Sequence, residues 1–224
     1  MHLKIDKNFR FFTYCLIILF LTSINNYNLY DKKIFYIDKV EVNGFSENKN
    51  ILIKKEIKNI LNKNIFFIEK NYFKDFFNRN DTKDLIIKKI YPNTLIINFI
   101  PAKPICIILL EDRKIILGDN GKKLNNETIE KEIPKVSGSK NFNYIFEVIN
   151  LLKLSKLDYN TIDEIIFFKS GRFDIKLENE ILIKFPIKYT EDIINYSSHL
   201  LIDKKFVNSK IIDLRLENKI IKYE

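Results

Sequence analysis

The chain has 224 residues, 46% of them hydrophobic, with 38 Lys and Arg against 29 Asp and Glu and a formal net charge of +9. That length and apolar content are enough for packed cores in one large domain or two small ones. The lysines are scattered among Asp and Glu, so the charge excess makes no single-signed face for nucleic acid. Its two cysteines, Cys15 and Cys106, exclude a disulfide framework, a zinc cluster and a CxxC motif.

Residues 11–30 carry no formal charge, and their densest part holds Phe11, Phe12, Leu16, Ile17, Ile18, Leu19, Phe20 and Leu21. Since roughly 20 apolar residues span a bilayer, the pattern predicts a short transmembrane anchor over 11–30 behind a tail of residues 1–10. Tyr27 and Tyr30 suit the far interface. The second reading is a cleaved signal peptide, but Thr22-Ser23-Ile24-Asn25 is a poor cleavage site. Lys4, Lys7 and Arg10 before the span balance Lys32, Lys33 and Lys39 after it, so loop charge does not set the orientation.

Past the anchor, residues 37–42 alternate up to the turn pair Asn43-Gly44 and read as a strand. Ile53, Ile57, Ile60 and Leu61 mark one face of a helix, and Tyr72, Phe73, Phe76 and Phe77 a second. Two β-branched runs, 85–90 and 95–100, flank a short turn at 91–94 and predict a hairpin that Pro101 and Pro104 end. The order β-α-α-β-β over residues 35–104 makes a small domain.

Residues 105–224 are strand-rich. A hairpin is predicted from 105–110 and 114–117, a turn at 118–121, and a helix from Phe142, Ile145, Phe146, Ile149 and Leu152. Strands follow at 162–168, 173–177 and 181–185. Thr190 is set to cap a helix whose buried face reads Ile193, Tyr196, Leu200 and Leu201. The chain closes on one strand, 210–223, with Ile212, Leu214, Leu216 and Ile220 on one face and Asp213, Arg215, Glu217 and Lys219 on the other. A final strand is placed for a sheet edge with unpaired backbone groups.

No catalytic pattern stands out. His2 and His199 belong to no metal-spaced cluster, and no GxSxG, P-loop or HExxH occurs. Cys106 reads as an inert core thiol. The chain is therefore expected to be no enzyme, with no metal and no cofactor.

Five stretches in order resemble the FtsQ/DivIB family of bacterial cell-division proteins: "IDKVEVNGFSENKNILIKKEIKNILNKNIFFI", "DLIIKKIYPNTLIINFIPAKP", "IILGDNGKKL", "SGRFDIKLENEILIKF" and "IIDLRLENKII". Pro101-Ala102 stand where that family has a Glu-Arg pair, and Lys88 to Tyr91 replace its arginine and tryptophan before Pro92.

The resemblance implies an α+β fold with a single transmembrane helix, a POTRA domain over 35–104 and a mainly antiparallel β domain with flanking helices over 105–224. It implies a non-enzymatic scaffold of the divisome, with an N-terminus in the cytoplasm and the C-terminal domains in the periplasm at the septum. Implied partners are the coiled-coil proteins FtsB and FtsL, further divisome proteins through the POTRA domain, and the inner membrane. Nucleic acid and small-molecule substrates are not among them. By matching position, Arg215, Leu216, Asn218 and Arg172 are the implied partner-binding residues. Other readings are a POTRA-bearing envelope protein for outer-membrane assembly or secretion, and an RNA-binding module using Phe167, Phe168 and Phe173.

Overall fold

The computed structural model describes residues 7–24, 34–111, 113–125, 133–206, 209–216 and 219–223. It is a mixed α+β structure in two compact units, one of Met1–Phe73 with Ile86–Asn98, the other of Lys74–Leu85 with Phe99–Glu224.

The first unit opens with helix α1 (Lys7–Ile24). Phe11, Phe12, Leu16, Ile17, Ile18, Leu19, Phe20 and Leu21 point outward from every side of it, each about half exposed or more. Among the described residues no helix is long and apolar enough to cross a membrane. Residues 25–30 of the predicted anchor, including Tyr27 and Tyr30, lie outside the described residues.

Strand β1 (Lys39–Asn43) is followed by helix α2 (Glu47–Glu56), which carries Glu47 in its first turn and Lys54 and Lys55 in its last. Those charges complement the helix dipole. The helix is shorter than the apolar spacing suggests: it tightens into a 3₁₀ turn at Ile57–Ile60, though Ile53, Ile57 and Ile60 are buried as expected. Asn62 then takes a left-handed φ of 63°, which asparagine tolerates better than most residues, and its N–H reaches Ile37 O. The second predicted helix is mostly absent. A 3₁₀ turn, Lys70–Phe73, runs into the four-residue helix α3 (Lys74–Phe77), and of the four aromatics only Phe73 is fully buried. Aromatic residues lose rotamer freedom in helices, and a single buried anchor stabilises no more than a turn.

Strands β2 (Thr82–Ile90) and β3 (Thr94–Pro101) form the expected hairpin, and the sheet order is β1-β3-β2. β1 runs parallel to β3, with Val40 opposite Leu95 and Val42 opposite Ile97. Leu95, Ile97 and Phe99 are buried while Ile96 and Asn98 are half-buried, the period-2 signature of a sheet with one packed face. The boundary between the units runs through both strands of this hairpin.

The second unit is built on a nine-stranded sheet. It comprises β4 (Pro104–Leu110), β5 (Arg113–Gly118), β6 (Lys123–Leu124), β7 (Lys135–Ser137), β8 (Ile162–Phe167), β9 (Phe173–Leu177), β10 (Leu182–Lys184), β11 (Ile211–Asp213) and β12 (Ile221–Tyr223). The order is β12-β11-β10-β9-β8-β7-β4-β5-β6. Helix α4 (Phe142–Leu154) connects β7 to its parallel neighbour β8, and helix α5 (Glu191–Ile202) connects β10 to its parallel neighbour β11. β4 and β7 are also parallel. The sheet is thus mixed, because a helical crossover returns the chain in the same direction and makes parallel neighbours.

One face of this sheet is the core. Ile108, Ile115, Val136, Ile165, Phe173, Ile175, Ile183 and Ile212 are buried there together with Ile145, Val148, Ile149 and Leu152 of α4 and Ile194 and Leu200 of α5. Asn141 and Thr190 cap the two helices, their side chains accepting from Tyr144 N and Ile193 N. The buried face of α5 is Ile194, Ser197 and Leu200, about one residue round from the predicted set, and Tyr196 is 48% exposed. Ser197 has its hydroxyl satisfied by Ile194 O at 2.6 Å, so a small polar residue can face the core.

The turn Gly118–Gly121 ties residues 77–83 into this unit. Lys83 Nζ lies 2.8 Å from Asp119 Oδ2, Asn120 Nδ2 donates to the carbonyls of Asn80 and Thr82, and Lys122 Nζ donates to Phe77 O.

Candidate protein-binding site

The predicted closing strand is two strands. β11 ends at Asp213, and the chain returns as β12, pairing antiparallel with Ile212 opposite Lys222. The break is local chemistry. Asp213 folds its carboxylate onto the residue two ahead, accepting from Arg215 N at 3.0 Å, from Arg215 Nε at 2.9 and 3.0 Å, and from Arg215 NH2 at 2.6 Å. Such a side-chain turn competes with the strand ladder. The period-2 reading therefore fails past this point. Ile212 and Leu214 are buried as expected, but Leu216 is 53% exposed and Asp213 is buried.

At this end of the sheet the outermost strand among the described residues is β12, three residues long and paired with β11. Its Tyr223 is 52% exposed and interacts electrostatically with Arg215, whose side chain is 39% exposed while its Asp213 partner is 5% exposed, and Leu216, on the stretch leading into β12, is 53% exposed. Arg215 is thus paired with Asp213 rather than waiting unpaired, and that pairing fixes the direction of its fork. Asn218 lies outside the described residues.

Arg172 stands just before β9, and its charge and that of Arg215 both act on Asp174. Its guanidinium carbon sits 4.1 Å above the Phe168 ring, and its buried Nε has no hydrogen-bond partner among the described residues. Strand register lines up Asp174, Lys184 and Asp213 across β9, β10 and β11 on the sheet face opposite the core. The sequence did not signal this row, because alternation alone makes Asp174 a solvated residue, whereas it is 3% exposed with no hydrogen-bond partner for Oδ1 among the described residues.

The two carboxylates titrate in opposite senses. Burial pushes the Asp174 carboxyl up, against the pull of Arg172, Lys184 and Arg215. Hydrogen bonds from Arg215 hold Asp213 down, with burial opposing them. A depressed folded pKa stabilises above the ordinary aspartate value of about 3.9, and that stability is lost as pH falls through the folded value. A raised folded pKa does the reverse: the charged form costs stability at neutral pH, and the cost disappears as pH falls. Asp213→Asn should therefore lower the unfolding free energy at pH 7 by about 1–2 kcal/mol and flatten the acid limb. Asp174→Asn should raise it by a smaller amount. Urea unfolding between pH 3 and 7 checks both signs.

The aromatic platform for RNA is not available: Phe167 is 3% and Phe173 0% exposed, both in the core, and Phe168 is covered by Arg172. Cys106 is buried, and burial pushes its thiol up to about 12, so it carries no reactive thiolate at neutral pH. His199 is exposed on α5. Among the described residues no group of three or more His, Cys, Asp or Glu side chains is placed to hold a metal ion.

No protein-family model and no curated protein matches the chain. Among solved structures, the chain is similar to the major extracytoplasmic domain of the bacterial cell division protein DivIB from Geobacillus stearothermophilus, in its trans isomer. The identity is 17% and the TM-score 0.36, over 45% of this chain and 91% of that one.

Proposed function

We propose that this chain is a non-catalytic, membrane-anchored scaffold of the bacterial division machinery that captures a segment of a partner protein on the β12 edge. The observation that carries the reading is the composition of that edge. Among the described residues no strand follows β12 at this end of the sheet, and with it come an exposed leucine, an exposed tyrosine and an arginine already oriented by Asp213. In strand addition, main-chain bonds supply affinity and neighbouring side chains supply selectivity. With so short an edge strand, the side chains carry most of the recognition.

The five sequence stretches shared with FtsQ/DivIB proteins support the division role and give the partner its class: FtsB- and FtsL-type coiled-coil proteins, and through them septal peptidoglycan synthesis. The succession of β1, α2 and the β2–β3 hairpin supports a POTRA assignment for residues 35–104, which makes that region the candidate for further divisome contacts. Helix α1, apolar and exposed on all sides, supports the anchor. The N-terminus then lies in the cytoplasm, with the rest of the chain in the periplasm.

Pull-down of an FtsB-type periplasmic segment by the full chain tests this. Leu216→Glu should weaken capture by about tenfold or more, since it puts a charge where an apolar contact forms. It is the cleaner variant, because Leu216 is exposed, whereas Arg215→Glu also strands the buried Asp213 carboxylate. Equal capture by wild type and Leu216→Glu places the interface elsewhere.

A further inference from the structure

We propose that the first unit lies directly on the bilayer surface through an aromatic patch at the end where the chain enters it. Phe35, Phe66, Phe67 and Tyr91 are 44%, 51%, 76% and 54% exposed. Phe66 joins two of them, its ring centroid 5.1 Å from Phe35 and 5.1 Å from Tyr91, the latter stacked. Rings gathered this way and left in water mark a contact surface.

The patch is rigid. Ile65 N donates to Phe35 O, Ile37 N to Lys63 O and Asn62 N to Ile37 O, all within 2.9 Å. Asn64 Oδ1 accepts from Phe66 N, and Lys89 Nζ donates to Phe66 O at 3.1 Å. Asp38 N donates to Asn93 O, which fastens the entering segment to the turn that follows Tyr91.

Two features choose a bilayer as the occupant. Phe35 stands just past residues 25–33, the nine residues that separate it and Ile34 from the end of α1. Nine residues reach at most about 30 Å, so the patch cannot stray far from whatever holds that helix. Basic residues dominate the neighbourhood: Lys89 donates to Phe66 O, and Lys63, Lys70 and Lys88 stand within three residues of a patch ring in sequence, against the acids Asp38 and Glu69 on the same measure. Aromatic rings beside basic side chains are the composition that seats at the level of anionic headgroups. The inference rests on the anchor reading and adds that the folded unit, not only the helix, touches lipid.

The protein has no tryptophan, so single-tryptophan variants of the full chain report cleanly. Phe12→Trp, Phe66→Trp, Phe67→Trp and Ile51→Trp are reconstituted into vesicles of phosphatidylethanolamine and phosphatidylglycerol with brominated acyl chains. Phe12→Trp should be strongly quenched, Phe66→Trp and Phe67→Trp should each lose about half their emission, and Ile51→Trp, on α2, should be unaffected. Replacing phosphatidylglycerol by phosphatidylcholine should reduce the loss at the two patch positions. Quenching at Phe12→Trp with none at either patch position overturns the proposal and leaves the anchor standing. A blue shift at the patch without quenching also overturns it, because a protein then covers the rings. No quenching at Phe12→Trp removes the anchor reading and this proposal with it.

Discussion

Replacing Gly138 by alanine is expected to destabilise the second unit severely. Gly138 follows β7 with φ +83°, and a Cβ there would sit 1.9 Å from Phe167 O and 2.9 Å from Phe167 C. The obstacle is backbone of the adjacent strand β8, so no side-chain rotation relieves it. β7 and β8 would have to part, and with them the pairing of Ser137 with Ile166 at the centre of the sheet. Left-handed φ costs a non-glycine residue about 1–2 kcal/mol, and a forced overlap in a packed interior adds about 1–3. A loss of about 2–5 kcal/mol is a large part of the 5–15 kcal/mol that holds a typical domain. Gly171→Ala separates the two causes: its φ is +85°, but nothing lies within 4 Å of the added carbon. Urea titration of the full chain should show a loss of about 1 kcal/mol for Gly171→Ala and several-fold more for Gly138→Ala. Equal losses would mean that the approach to Phe167 is looser than the structure shows.

Ile97→Asp is the counterpart in the first unit. Ile97 is 0% exposed in β3, the central strand of its sheet, opposite Val42 of β1. A carboxylate there either stays charged without a partner or takes up a proton, and both routes cost several kcal/mol. Amide exchange over residues 37–60 and 94–98 should lose its protection. Ile96→Asp, on the opposite face and half-buried, should cost much less. Similar effects at both positions would mean that the strand's facing is misassigned.

What the sequence revealed was what it encodes locally. The hairpin of β2 and β3 was visible because two long β-branched runs flank a short link. The start of α5 was visible because Thr190, Glu191 and Asp192 are local signals that the backbone answers directly. Strand β7 was not, since Lys135-Val136-Ser137 is too short to show a period, and its place is set by strands and a helix distant in sequence. The parallel pairings of β7 with β8 and of β10 with β11 are likewise tertiary outcomes.

The closing strand misled for a different reason. Asp213 and Arg215 alternate with apolar residues as on any solvated strand face, yet they bond to each other across two residues and end the strand. The placement of the residues expected to bind a partner suffered accordingly. Arg215 and Leu216 follow the end of β11, the outermost strand at this end among the described residues is Ile221–Tyr223, and the row Asp174, Lys184 and Asp213 exists only once three strands are in register.

The central claim is that the open side of β12 receives a partner segment. A photo-crosslinking amino acid at Tyr223 of the full chain, irradiated in dividing cells, tests it most directly, with the same group at Leu154, 76% exposed at the end of α4, as reference. The account predicts a crosslink from Tyr223 to an FtsB-type coiled-coil protein, diminished by Leu216→Glu and absent from Leu154. A crosslink of equal strength from both positions, or none from Tyr223 while the chain gathers at the septum, would contradict it.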